Sequence, residues 1–123
     1  MPESWSVKIS GSAKGTISPS NPLKIETHTD VNNDPYANVF DISGSGYLSD
    51  GVTPISIDGY FFFTPANTVY GFYELNINSS IEDGTISGTL NPTTGKFTFY
   101  LTTTSANGKG HKYTFAGVKA ATP

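Results

Sequence analysis

The most regular feature of the chain is alternation. Over residues 55–77, ISIDGYFFFTPANTVYGFYELNI, two strongly apolar arms flank the polar break Thr64-Pro65-Ala66-Asn67-Thr68. Pro and Asn in so short a break are turn formers, so the stretch predicts a long β-hairpin. Successive side chains of a strand point to opposite faces. Ile55, Ile57, Phe61 and Phe63 therefore share one face of the first arm, and Val69, Tyr73, Leu75 and Ile77 one face of the second. These sets are the expected core. The other faces carry Ser56, Asp58, Tyr60 and Phe62, then Tyr70, Phe72, Glu74 and Asn76. A face that mixes rings with carboxylates needs partial cover and tolerates water. It suits packing under a loop, a subunit interface or a binding site.

The same period of two runs through the remaining chain. Trp5, Val7 and Ile9 mark a first strand, and Gly11 to Gly15 a bulge or bend before Thr16-Ile17. Ser18-Pro19-Ser20-Asn21-Pro22 reads as a loop. Leu23, Ile25 and Thr27 share a face over residues 23–29, and the polar run DVNNDPYAN over 30–38 is expected at the surface. A strand over 39–48 holds Gly44 and Gly46, and Ser49-Asp50-Gly51 signals a hairpin turn. Beyond the long hairpin, Glu82-Asp83-Gly84 is expected to turn the chain before a short strand over 85–90. Asn91-Pro92-Thr93-Thr94-Gly95 is a further tight turn. Phe97, Phe99 and Leu101 face inward from a strand over 96–103, a Gly-rich turn covers 105–110, and 111–118 closes the chain before a frayed tail.

No stretch of ten residues shows a helical period, and no repeat or linker divides the 123 residues. The reading is one all-β domain over 1–123, an antiparallel β-barrel of about eight strands, with a β-sandwich or jelly roll as the alternative. Glycine favours the barrel. Gly44, Gly46, Gly59, Gly71, Gly88 and Gly117 all fall within the apolar register of their strands. Glycine weakens a strand, so its repetition there asks for a reason. Sharp coiling as a sheet closes is one, and room inside for a neighbour's ring or a ligand is another.

Composition removes several functions. Cysteine is absent, which excludes disulfides and thiolate metal sites. The formal charge is −3 and all seven basic residues are scattered lysines, which argues against nucleic acid. No apolar run reaches membrane-spanning length. Met-Pro-Glu-Ser-Trp carries no secretory signal pattern, so the cytoplasm, or secretion without a recognisable signal, is expected. Asn78-Ser79-Ser80 fits a glycosylation sequon.

Candidate chemistry is sparse. Glu26, His28 and Asp30 alternate along one strand and would point the same way, as a solvated face or as an acid–base or metal-ligand set. Asp30, Asn32 and Asp34 have the D-x-N-x-D spacing of a calcium loop. Pro35 replaces the glycine an EF-hand needs and no helices flank it, so turn formation is the leading role and a loose calcium site a weak candidate. His28 and His111 are the only histidines. No nucleophile elbow or phosphate loop exists, and no cofactor is expected.

What remains is Asp58, Tyr60, Phe62, Tyr70, Phe72 and Glu74 on one hairpin face, joined by Tyr47 and Tyr100 if their strands align. Rings beside carboxylate acceptors can stack on and hydrogen-bond a sugar or another amphipathic small molecule. The same group turned into a lumen could serve a cofactor-independent isomerase or cyclase, with Glu74 as proton acceptor and Tyr70 beside it. Parity does not say which face is lumenal. The expectations are therefore, in order, a binding protein for a small molecule or carbohydrate, a barrel enzyme, and a structural homo-oligomer.

Overall fold

The computed structural model describes residues 3–17 and 22–119. Residues 18–21 of the expected loop, the first two residues and the tail from residue 120 lie outside the described part. Nine strands follow one another: β1 (Glu3–Gly11), β2 (Gly15–Ile17), β3 (Leu23–Thr29), β4 (Pro35–Leu48), β5 (Pro54–Phe63), β6 (Thr68–Ile77), β7 (Ser80–Asn91), β8 (Lys96–Thr103) and β9 (Lys112–Lys119). No helix occurs among the described residues.

Every pairing is antiparallel, and neighbours in sequence are neighbours in the sheet from β3 to β9. The sheet then closes on itself. β1 pairs β9 from Trp5↔Lys119 to Gly11↔Tyr113, and β1 meets β3 from Glu3↔Ile25 to Trp5↔Leu23. The result is an eight-strand barrel with one short extra strand. β2 runs in the same direction as β3, pairing β1 at Val7↔Ile17 and β4 at Gly15↔Leu48, and so fills the gap that β3 leaves between β1 and β4. Closure removes sheet edges, which is why a single sheet can be stable here.

The lumen is lined by the faces expected to be core. Ile55, Ile57, Phe61, Val69, Tyr73 and Leu75 are buried, and Phe63 and Ile77 pack against them at the two rims. From the other strands come Trp5, Val7, Ile9, Ile17, Leu23, Ile25, Ile42, Ile86, Leu90, Phe97, Phe99, Leu101, Tyr113 and Phe115. A column of rings fills the middle. Phe97 stacks on Phe99 at 4.1 Å between centroids, Trp5 tilts against Phe97 at 5.1 Å, and Phe61 against Phe99 at 5.4 Å. Trp5 Nε1 is the one buried side-chain polar atom among the described residues without a hydrogen-bond partner.

Two of the glycines stand where a side chain would not fit. A Cβ on Gly71 would lie 2.0 Å from the Tyr60 carbonyl oxygen and 2.6 Å from Phe61 Cα, so β5 and β6 approach more closely than a side chain permits. A Cβ on Gly117 would meet the Phe97 ring at 2.1 Å, so here the missing side chain makes room for a ring.

Two boundaries differ from expectation. The turn before β7 is Asn78-Ser79, both with positive φ (51° and 71°), joining Ile77↔Ser80. Two successive left-handed residues make the tight hairpin that matches strand twist, and asparagine tolerates that conformation well. Glu82-Asp83-Gly84 is not a turn but the middle of a strand, where Gly84 lets β8 come close. Likewise only residues 30–34 form the tip between β3 and β4, and Pro35 opens β4.

Since Gly71 faces backbone rather than a movable side chain, Gly71→Ala is expected to destabilise the barrel by about 2–3 kcal/mol. A lower denaturant midpoint with unchanged slope would show it; an unchanged midpoint would refute the close approach.

Candidate functional site

Antiparallel register carries the hairpin's second face into cross-strand rows on the outer wall. One row is acidic: Asp58 lies opposite Glu74, and Glu74 opposite Asp83. The next row reads Asp41, Tyr60, Phe72 and Thr85 across β4 to β7. The third reads Val39, Phe62, Tyr70, Ser87 and Tyr100 across β4 to β8. Six rings touch in sequence. Tyr36 stacks on His28 at 5.1 Å, and His28 sits 6.5 Å from Tyr60. Tyr60 meets Phe62 at 6.0 Å and Phe72 at 5.7 Å, and Phe72 meets Tyr70 at 5.7 Å. These rings face solvent: Tyr36 is 49% exposed, Tyr60 39%, Phe62 45% and Tyr70 54%. His28, Tyr36, Val39, Tyr60 and Phe62 line a groove of about 300 Å³.

His28 is held in place by Asp41, whose Oδ1 lies 2.8 Å from His28 Nδ1. A carboxylate only accepts, so that nitrogen carries the hydrogen and the bond orients the ring. Of the acid–His–acid alternation along β3, His28 thus joins the ring cluster through a partner on β4. The sequence does not single out Tyr36, because the polar run 30–38 around it has loop composition. Tyr36 joins the cluster because β4 already pairs β3 at Thr29↔Pro35, a register that the sequence does not display.

The other expected residues divide. Tyr100 continues the third row but is separated from Tyr70 by Ser87. Tyr47 pairs Pro54 and Thr16 at the far end of β4, six residues beyond Asp41 or roughly 20 Å along the strand, outside the cluster. Glu74 and Tyr70 both face outward and are exposed; four residues apart on one strand, they stand roughly 13 Å from each other with Phe72 between. They do not form an acid–base pair and do not reach the lumen. In the 30–34 tip, Asp30 Oδ1 accepts from the backbone N–H groups of Asn32 at 2.8 Å and Asp34 at 3.0 Å, and Asn33 has φ 68°. That carboxylate closes a turn. Among the described residues no group of three or more His, Asp or Glu side chains could hold a metal ion.

A lumenal carboxylate does exist, and it is Glu82. Read as a turn residue, it was invisible in the sequence; in β7 its parity places it inward, with 5% of its surface exposed. Its Oε1 accepts from Tyr113 Oη at 2.6 Å and Thr103 Oγ1 at 2.7 Å, and Oε2 lies 3.2 Å from His111 Nδ1. Thr103 has given its only proton to Glu82, so Tyr73 Oη donates to Thr103 Oγ1 at 2.6 Å. The segment 104–111 folds over this network. Asn107 Nδ2 donates to Ser80 Oγ and the Ile81 carbonyl, and Ser105 Oγ accepts from Asp83 N–H. Gly108 lies so close to Glu82 that a Cβ there would sit 2.4 Å from Oε2. Burial alone would raise the Glu82 pKa, but the hydrogen bonds from Tyr113, Thr103 and His111 outweigh it and hold the carboxyl below its ordinary value. Burial, with the Glu82 charge, pushes Tyr113 far up, and burial raises Tyr73. All three effects keep Glu82 charged and both phenols protonated, a locked network rather than a poised acid or base.

The opposite mouth is apolar. Ile25, Thr27, Phe40, Phe61, Phe63, Leu90 and Pro92 line a cup of about 230 Å³. Compared with protein-family models, curated proteins and solved structures, the chain gives no match in any of the three.

Because the folded pKa of Glu82 is lowered, the unfolded chain binds more protons at acid pH. The stabilisation is whole near neutrality and is lost as pH falls through the lowered value. Glu82→Gln is expected to reduce stability by about 2 kcal/mol near neutral pH. Denaturant titrations across the acid range should show this difference shrinking as pH falls; a difference independent of pH would contradict the account.

Proposed function

We propose that this barrel is a non-enzymatic binding protein whose outer aromatic wall takes a neutral carbohydrate or a similarly amphipathic small molecule. The observation that carries the reading is the unbroken chain of six solvent-facing rings beside a groove. Ring faces accept the C–H face of a sugar, while Tyr hydroxyls, the Asp41 carboxylate and the row Asp58–Glu74–Asp83 supply acceptors for its hydroxyls. The same row repels anions. The barrel serves as a rigid platform, and no catalytic step is assigned to it.

A homo-oligomer through the same rings is the rival reading. The acidic row argues against it, since a face-to-face pair would bring like charges together beside the rings. Sedimentation at tens of micromolar protein is expected to give the mass of one chain. A dimer disrupted by Tyr70→Ser would instead favour the interface.

Linear oligosaccharides of glucose, xylose and N-acetylglucosamine, titrated with NMR detection, should give saturable shifts at Tyr36, Tyr60 and Phe62 for at least one sugar. Tyr60→Ala should weaken that binding by about tenfold or more. No saturable shift on this wall with any of the three would sink the carbohydrate reading.

A further inference from the structure

The two ends of the lumen are built differently. One end is closed by Glu82, Tyr113, Thr103 and the covering segment 104–111. At the other, the connections are short: the 30–34 tip, the 64–67 turn and the turn after Asn91. Among the described residues none folds across the mouth, and the apolar cup lies between them.

We infer that this cup is a second binding site, separate from the outer wall, for a small neutral aromatic molecule. Three observations define the occupant. First, among the described residues no charged side chain lines the cup, and Thr27 supplies the only side-chain hydroxyl. A charged ligand would lose hydration there without finding a partner, so the ligand is neutral. Second, the rings of the cup are arranged for another ring. Phe40 stacks on Phe61 at 5.7 Å and 28°, and Phe63 stands edge-on to Phe40 at 6.2 Å and 80°. An incoming ring extends this stacked and edge-to-face pattern. Third, the volume of about 230 Å³ sets the size. An apolar cavity of about 150 Å³ holds benzene, so by proportion this cup takes about nine heavy atoms, one ring with a short chain.

The floor is rigid, because Phe61 is buried and packs on Phe99, which stacks on Phe97. The ligand therefore enters from solvent and rests on the ring column without opening the barrel. The outer wall and the cup occupy opposite faces of the same strand ends: Val39 and Phe62 point out where Phe40, Phe61 and Phe63 point in.

The test uses the whole chain and n-propylbenzene, neutral and of the right size, with benzoate, a charged ring of equal heavy-atom count, as its counterpart. Propylbenzene is expected to shift the methyl signals of Ile25 and Leu90 saturably. Benzoate should bind at least about tenfold more weakly. Thr27→Trp, at an exposed rim position, should block the mouth and abolish the shifts. Should that variant misfold, the comparison of the two probes on the unaltered protein still decides. Equal affinity for both probes, or no saturable shift up to the solubility limit, would overturn the proposal. So would shifts confined to Tyr60, Phe62 and Tyr70, which would place the ligand on the outer wall instead.

Discussion

The structure depends on how eight strands close around rings too large for an unmodified wall. The interior of so small a barrel is just wide enough for side chains to fill. At the seam, β1 and β9 pair in unbroken register from Trp5 to Gly11, with Val7 opposite Gly117. Phe97, from β8, lies over Gly117, stacks on Phe99 and is tilted against Trp5. One absent side chain thus lets the ring column form and lets the last strand reach the first. A larger residue at 117 would set core packing against closure.

That column also divides the lumen. On one side the inward positions become polar, and each polar group has a partner: Tyr73 to Thr103, Thr103 and Tyr113 to Glu82, His111 on the second carboxylate oxygen. A buried carboxylate is tolerable only when so surrounded, and a fully satisfied network fixes one arrangement of the strands that meet in it. β6, β7, β8 and β9 all contribute. On the other side the lining stays apolar to the rim, where Phe40, Phe63 and Pro92 keep hydrophobic surface near water. The closed end confers uniqueness and the other end keeps an apolar rim, and both follow from where polar residues fall on the inward parity.

Much of this was legible in the sequence. The inward sets of the hairpin, the all-β class, the antiparallel meander and the inward Phe97, Phe99 and Leu101 follow from period-two alternation, because burial of one face enforces it. The glycines within the apolar register announced closure. What could not be read depends on turn conformation and strand register, which residue composition does not display. Glu82-Asp83-Gly84 has turn composition, and only the Asn78-Ser79 turn before it, with two left-handed residues, sets Glu82 into a strand facing inward. Tyr36 lies in a polar run and joins the outer cluster because β4 pairs β3 that far. Tyr47 shares the parity of the site but not its height on the barrel, a quantity fixed by register rather than by alternation.

The outer wall has features that folding itself does not require. A closed barrel has no sheet edge, so its charges are not needed to guard one. Directly opposed carboxylates such as Asp58 and Glu74 weaken a sheet. The exposed rings gain only partial burial from one another, and a wall of Thr and Lys would hold the strands as well without presenting an apolar surface. Charge beside rings does keep such a surface soluble, yet scattered charges would do that without the repulsion of a contiguous row. Neither the repulsive acidic row nor the half-exposed ring cluster is therefore required by the fold itself. The groove at His28, Tyr36 and Tyr60 lies at one end of that cluster, and the hydrogen bond to Asp41 orients the His28 ring within it.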